Sequence, residues 1–315
     1  MRSPCRRRIW QLARIGISIG LVFWLFSRFD LEGLKTSLAR RPFLLWAAAF
    51  FMMLFAQILS SIRWWMLSKA CSFSGKWPRY LGFYFVGMFF NLFLPTGIGG
   101  DLFKVHFLSK KEGKRIVAAS TVVADRFLGL VAMLFIGAVA VHFRRDLLPE
   151  PFRIFISLGC LGLLVAMGLM PLMGRLINRL RPRLTPYLEL VSVIQQQPAK
   201  LGLLFALSFA LQGLGIGAVA LMGNGMGIHV STPVYFVIVP LVALSTLIPI
   251  SFNGIGVREG AFVYLLGLKG VDAGTALGLG LLFFSVQVAI SLIGGIAYAA
   301  GVHRYGVHSR ESTWN

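Results

Sequence analysis

The sequence predicts an all-α integral membrane protein, with about six full transmembrane helices and two oppositely oriented re-entrant helical hairpins forming an inverted repeat. Three observations lead there. Apolar types make up 57% of the 315 residues and charged types 13%, against roughly 25% charged in a soluble domain; mean hydropathy is +0.77. The deficit is concentrated: Phe43–Ile62, Val131–His142, Leu201–Val257 and Ala273–His303 hold no Asp, Glu, Lys or Arg, and a crossing needs about 20 apolar residues. Finally, 31 Lys+Arg against 11 Asp+Glu give a net charge of +20, and the basic residues gather mainly in short loops. That pattern reads as topology and contact with anionic headgroups at the cytoplasmic face. No basic face with interleaved aromatics suggests nucleic acid.

The apolar segments run 9–27, 42–62, 80–95, 115–143, 152–173, 200–222, 233–250 and 273–302. The first follows Arg2, Arg6, Arg7 and Arg8 and ends without a small-residue cleavage site, so it reads as an uncleaved span with a cytoplasmic N-terminus. After the second span, Arg63, Lys69, Lys76 and Arg79 mark a cytoplasmic loop. The third segment leaves the cytoplasm at Tyr80, yet Lys110, Lys111, Lys114 and Arg115 place the next loop there again. Pro95, Gly97, Gly99 and Gly100 break the helix between the two. A re-entrant hairpin over 80–108 reconciles these facts. Non-helical backbone at that depth requires a protein or aqueous surround.

Span 115–143 then goes out and 152–173 returns to a basic loop with Arg175, Arg179, Arg181 and Arg183. Span 200–222 leads to the uncharged loop 223–233. Segment 233–250 meets a second breaker at Pro249, Gly254 and Gly256, followed by Arg258-Glu259. A second hairpin, 233–268, lets the last span end inside, at basic 303–310, with a cytoplasmic C-terminus. The chain is thus one transmembrane domain over 1–315, with repeat units 42–143 and 200–302. Both breakers carry Gly-Ile-Gly and then an acid, Asp101 or Glu259. Inverted repeats with broken helices at mid-depth characterise many transporters.

The candidate substrate-binding residues are the intramembrane charges Asp101, Lys104, Asp125, Arg126, Arg258 and Glu259, because such groups are costly in lipid. Helix N-termini after the glycine turns suit phosphate. Lys104 and Arg258 add full charge. Asp101 and Glu259 could meet a cationic headgroup or orient the basic residues. Two alternatives stay open: the glycines serve only close packing, and the charges cap helices. Asp125-Arg126 lies about 15 Å into its span. Arg126 reads as a lipid-phosphate ligand or as half of a structural pair with the opposite hairpin. Trp10, Trp24, Trp46, Trp64 and Trp65 read as interfacial belt residues, Gln57, Gln212 and Gln287 as interhelical hydrogen-bonders, and Gly213-x-x-x-Gly217 as helix packing. Cys5, Cys71 and Cys160 give no disulfide framework. The histidines lack metal-ligand spacing, and neither a nucleotide loop nor a hydrolase motif is present. No metal or cofactor is expected.

Asn91-Leu-Phe-Leu-Pro-Thr-Gly-Ile-Gly-Gly-Asp101-Leu-Phe-Lys104, then Asp125-Arg126-Phe-Leu-Gly-Leu, then Pro249 through Gly-Ile-Gly-Val-Arg258-Glu259-Gly260 resembles the membrane domain of the lysylphosphatidylglycerol synthase/flippase family, the UPF0104 group. The likeness runs from about residue 10 to 303. It implies lipid translocation across the bacterial cytoplasmic membrane, with membrane lipids as partners and a separate lipid-modifying enzyme beside it. The chain ends at Asn315, so the family's C-terminal synthase activity is not expected. Transport is expected rather than covalent chemistry. The alternatives are a membrane glycosyl- or phosphotransferase with Asp101 or Glu259 as base, an inverted-repeat small-molecule transporter, and a non-catalytic scaffold.

Overall fold

The computed structural model describes residues 42–93, 99–110, 112–143, 149–180, 197–247, 251 and 253–301. The expected span 9–27, Trp10, Trp24, both termini, Pro95, Gly97 and Pro249 lie outside them. The described residues form helices and no strand. They are α1 (Pro42–Ala70), α2 (Trp77–Phe93), α3 (Gly99–Ser109), α4 (Arg115–Phe143), α5 (Glu150–Leu180), α6 (Pro198–Gly225), α7 (Thr232–Leu247), α8 (Val257–Gly267) and α9 (Ala273–Ala299). Among them α1, α4, α5, α6 and α9 are long and apolar enough to cross a membrane. The protein is an all-α, multi-pass membrane protein.

Apolar side chains turned outward, such as Phe43, Phe51, Phe55, Phe155, Leu158 and Ile296, suit a lipid surround. The inward surface makes two large cores. One stacks Trp64, Phe73, Tyr80 and Phe83 between α1, α2 and α3; the other gathers Met222, Tyr235, Ile238, Phe262 and Ile290 from α6 to α9.

Helices α2 and α3 are antiparallel. Phe90 stacks on Phe103 at 3.8 Å and Phe83 on Phe107 at 5.2 Å between ring centroids. Glycine makes this approach possible, because a Cβ on Gly100 would collide with the Gly87 carbonyl. Glu112, after α3, accepts hydrogen bonds from the N–H and hydroxyl of Ser74, before α2, both at 2.8 Å. The pair therefore returns to the end of the bundle from which it left. Helices α7 and α8 also pack together, across a turn in which Asn253, Gly254 and Gly256 have φ of 50°, 75° and 82°. Inside α7, Pro240 forfeits a helical hydrogen bond, and its ring rests on the bare backbone of Gly137 in α4.

Long-range packing is threaded. Helix α1 lies along α6; α2 packs on α9, and α7 on α4; α3 also meets α4, and α8 meets α9. Helix α5 packs on α4 at the periphery.

The second span runs longer than its apolar stretch. Helix α1 continues from 62 through Arg63 to Ala70, so Arg63, expected in a loop, is a buried helical residue. Trp64, expected at the interface, is fully buried and donates its indole N–H to Thr121 Oγ1 at 3.2 Å. Gly213 has no neighbour where a Cβ would stand, so close packing does not require it; Gly217 abuts Met52.

Candidate functional site

Two adjoining cavities, of about 470 and 350 Å³, open in the middle of the bundle and share Gln57, Arg63, Tyr84, Arg126, Gln212 and Gln287 among their lining residues. Helices α1, α2, α4, α6, α7 and α9 contribute to the wall, with Lys104 from α3, Asn253 from the second turn and Arg258 from α8. Both short helical pairs therefore reach the same space.

A charged cluster sits on the side formed by α1, α3 and α4. Arg63 Nε donates to Asp125 Oδ1 at 2.8 Å, its NH2 to the Asp125 carbonyl at 2.9 Å and its NH1 to Ser208 Oγ at 2.7 Å. Both side chains are nearly sealed from solvent. Breaking such a pair by removing one partner costs about 3–5 kcal/mol. Asp101 sits between two cations: Arg126 Nε donates to Oδ2 at 3.0 Å, and Lys104 Nζ lies 3.3 Å from Oδ1. The Lys104 ammonium also stands 3.9 Å from the centre of the Tyr84 ring, a favourable cation–π distance. Tyr84 is hydrogen-bonded in turn to Ser60, at 2.8 Å.

Arg126 differs from its neighbours. Its side chain is 56% exposed, against 5% for Arg63 and 4% for Lys104, and it lines both cavities. Asp101 engages Nε alone, and the two terminal nitrogens make no hydrogen bond among the described residues. The adjacent residues Asp125 and Arg126 point to different partners, as an angle of about 100° between helical neighbours requires.

The second pair of short helices contributes less charge. Arg258 NH2 donates to the Asn253 carbonyl at 3.1 Å, and the guanidinium lies 4.9 Å from the Phe284 ring centre. Glu259 is buried. Its Oε2 accepts the Gly256 N–H at 2.7 Å, capping α8 from its third residue. Its Oε1 lies 3.7 Å from Arg258 NH1 without a hydrogen bond. At the first breaker, the Gly100 N–H is taken by Asn91 Oδ1 at 2.7 Å. One N–H at each glycine turn is therefore already satisfied within the protein.

The predicted residues separate accordingly. Lys104, Asp125, Arg126 and Arg258 line the central space; Asp101 stands behind Lys104 and Arg126, and Glu259 is sealed at the α8 terminus. The paired residue of Arg126 is on the first helical pair, and that of Asp125 is on α1. Sequence reasoning missed Arg63 as a site residue, because a basic residue just past an apolar stretch reads as a loop marker. A detectable signal was Asp125 itself, a buried acid in need of a cation. Gln57, Gln212 and Gln287 prove to line the cavity, and Gln212 also makes the expected interhelical bond, to the Gly129 carbonyl at 3.0 Å.

No solved structure matches this chain. A UPF0104 membrane protein of Methanocaldococcus jannaschii is 29% identical over 226 residues, covering 67% of this chain and 93% of that relative. The family described as the lysylphosphatidylglycerol synthase TM region matches residues 11–295. A match over that much of the sequence makes this chain a member of the lysylphosphatidylglycerol synthase TM region family.

Proposed function

We propose that this protein is a lipid translocase of the bacterial cytoplasmic membrane, passing a phosphate-bearing headgroup through the central cavity while the acyl chains stay in lipid. The observation that carries the reading is the guanidinium fork of Arg126, without a hydrogen bond among the described residues and exposed inside a membrane protein at a cavity reached by both short helical pairs. An arginine held only through Nε keeps two parallel N–H donors for phosphate oxygens. The family's lipid-related name supports the same direction.

The packing supports an inverted repeat of 42–143 and 200–302. Under an exchange of α1 with α6, α2 with α7, α3 with α8 and α4 with α9, the contact of α2 with α9 becomes that of α7 with α4, and the contact of α3 with α4 becomes that of α8 with α9. Such an arrangement offers alternating access from two faces. Lys104 and Arg258 complete the proposed phosphate site, with Asp101 behind Lys104 and Arg126; Asp125 and Glu259 hold its frame.

Arg126→Ala is a clean test, because Asp101 retains Lys104 and no buried carboxylate is stranded. The variant should insert at normal abundance in proteoliposomes and lose translocation of labelled phospholipid by about 10- to 100-fold, the worth of charge-assisted hydrogen bonds. Arg126→Lys should recover only part, lacking the fork. Undiminished transport by Arg126→Ala would remove the residue from the path.

A further inference from the structure

Resting on that reading, we infer that the two short helical pairs divide the work of transport: α2 and α3 belong to a fixed frame, and α7 and α8 move to change the face to which the cavity opens. Inside a bilayer the lipid tails are as apolar as the helix surfaces, so close packing and interhelical hydrogen bonds decide what holds a helix in place. Those bonds are unevenly placed. Trp46 of α1 donates to Ser285 of α9 at 3.0 Å, Ser60 of α1 pairs with Tyr84 of α2 at 2.8 Å, and Trp77 of α2 donates to Ser61 of α1 at 3.0 Å. Arg63 ties α1 to α4 and α6, Gln212 ties α6 to α4, and Arg126 ties α4 to α3. Helices α1, α2, α3, α4, α6 and α9 are thus one bonded network.

Helices α7 and α8 stand outside it. Among the described residues, every side-chain hydrogen bond of this pair stays within it. Ser245 and Thr246 bond back to carbonyls of α7, Arg258 reaches the Asn253 carbonyl, and Glu259 takes the Gly256 N–H. The buried Tyr235 hydroxyl of α7 makes none. Ring and backbone packing joins the pair to the frame: Pro240 on Gly137, Phe262 beside Phe283, Arg258 over the Phe284 ring, and Glu259 against the bare backbone of Gly280.

Charge and fit follow the same division. The acid and the base of α8 are the neighbours Arg258 and Glu259, and α7 has neither, so the pair carries its own counter-charge as it moves. Moving α3 instead would draw Asp101 from Arg126 and leave buried charge uncompensated, which is costly within a membrane. The Ser74–Glu112 contact also closes the entry and exit of the first pair. Its contact with α9 has no slack, because the Phe85 carbonyl occupies the place of a Cβ on Gly294. The contact of α7 with α4 is looser: a Cβ on Gly137 would stand 3.6 Å from Pro240, an ordinary van der Waals distance. Arg126 therefore stays with the frame, while Arg258 travels with α8.

The experiment uses the full chain with Cys5, Cys71 and Cys160 replaced by serine, in proteoliposomes holding acyl-labelled phosphatidylglycerol. Gly137→Cys/Pro240→Cys sets two Cβ atoms about 3.6 Å apart, within disulfide range, and locks α7 to α4. Oxidation should lower translocation at least about tenfold, and dithiothreitol should restore it. Bridging Ser61→Cys/Trp77→Cys, between α1 and α2, with a bifunctional thiol reagent should leave transport as it is in the same variant unbridged. A second measurement needs no lock. Spin labels at Tyr264→Cys on α8 and Phe51→Cys on α1, both turned outward, are read in phosphatidylcholine nanodiscs with and without phosphatidylglycerol. They should report two distances about 5 Å or more apart, whereas labels at Leu102→Cys on α3 and Phe51→Cys should report one. Transport unchanged with the α7–α4 disulfide formed, transport lost on bridging α1 to α2, or a single α8 distance in both nanodiscs would overturn the inference. With lipid still moving, each of these would leave the translocase standing. Two α8 distances with no lipid moved would keep the mobile pair and overturn the translocase.

Discussion

Arg63 and Asp125 form a frame rather than a reactive site. All three guanidinium nitrogens donate, to Asp125 Oδ1, the Asp125 carbonyl and Ser208, and the side chain is only 5% exposed, so Arg63 serves to hold its neighbours. The pair ties α1 to α4 and, through Ser208, to α6. Arg63→Leu should leave Asp125 buried and uncompensated and destabilise the protein by about 3–5 kcal/mol. Arg63→Leu/Asp125→Leu should recover most of that loss, because the double change removes the stranded charge. Abundance and the midpoint of thermal unfolding in detergent are the readouts; a double variant as unstable as the single one would mean that the pair contributes more than charge balance. Arg126, one residue along, should behave oppositely, with transport lost and stability kept. The sequence made Asp125-Arg126 visible as an intramembrane anomaly, but the division of labour depends on Arg63, which is 62 positions away in the chain.

At the scale of elements, the two glycine breakers have different physical reasons. Gly254 and Gly256 occupy the left-handed region, with φ of 75° and 82°, where a side chain costs about 1–3 kcal/mol. Gly100 is helical, and its constraint is the Gly87 carbonyl pressed against it. Gly100→Ala should therefore force α2 and α3 apart, and Gly256→Ala should strain the turn beneath Arg258. Both should lower transport measured at matched expression. Gly260→Ala, in α8 with open space at its Cβ, should be neutral or slightly stabilising. Equal tolerance of all three changes would show that the turns do not shape the path. The turn at Gly254 and Gly256 was readable as a turn, whereas Gly99 and Gly100, expected to break the helix, are the first residues of α3; α4 begins and ends where its apolar stretch does, at 115 and 143. Helix α1 overran its apolar stretch because hydropathy treats every arginine as exposed, whereas Arg63 is neutralised by a tertiary partner. Likewise, Trp64 resembles a belt residue in sequence and is a core residue through Thr121 and Tyr80.

At the scale of the whole molecule, the charges are unevenly shared between the two proposed repeat units. The first supplies Arg63, Asp101, Lys104, Asp125 and Arg126, and the second Arg258 and Glu259, with Phe262, Phe283 and Phe284 nearby. If the units are inverted, a headgroup meets a strongly charged half-path on one face and an aromatic one on the other. That orientation is testable through the ends of the bundle. Ser74 and Glu112 meet at one end, with the start of α4 beside them. Phe152, in the first turn of α5, meets Tyr264, in the last turn of α8, their rings 6.2 Å apart. The Lys/Arg distribution assigns the first end to the cytoplasm. In a background with Cys5, Cys71 and Cys160 replaced by serine, Lys110→Cys should resist a membrane-impermeant thiol reagent in intact cells and react once they are permeabilised. Asn224→Cys and Leu268→Cys should react in intact cells. Because Ser74 and Glu112 hold the chain before α2 and after α3 together, external labelling at position 110 would turn the whole bundle over. The charged half-path would then open to the outside, and the proposed direction of lipid entry would reverse with it.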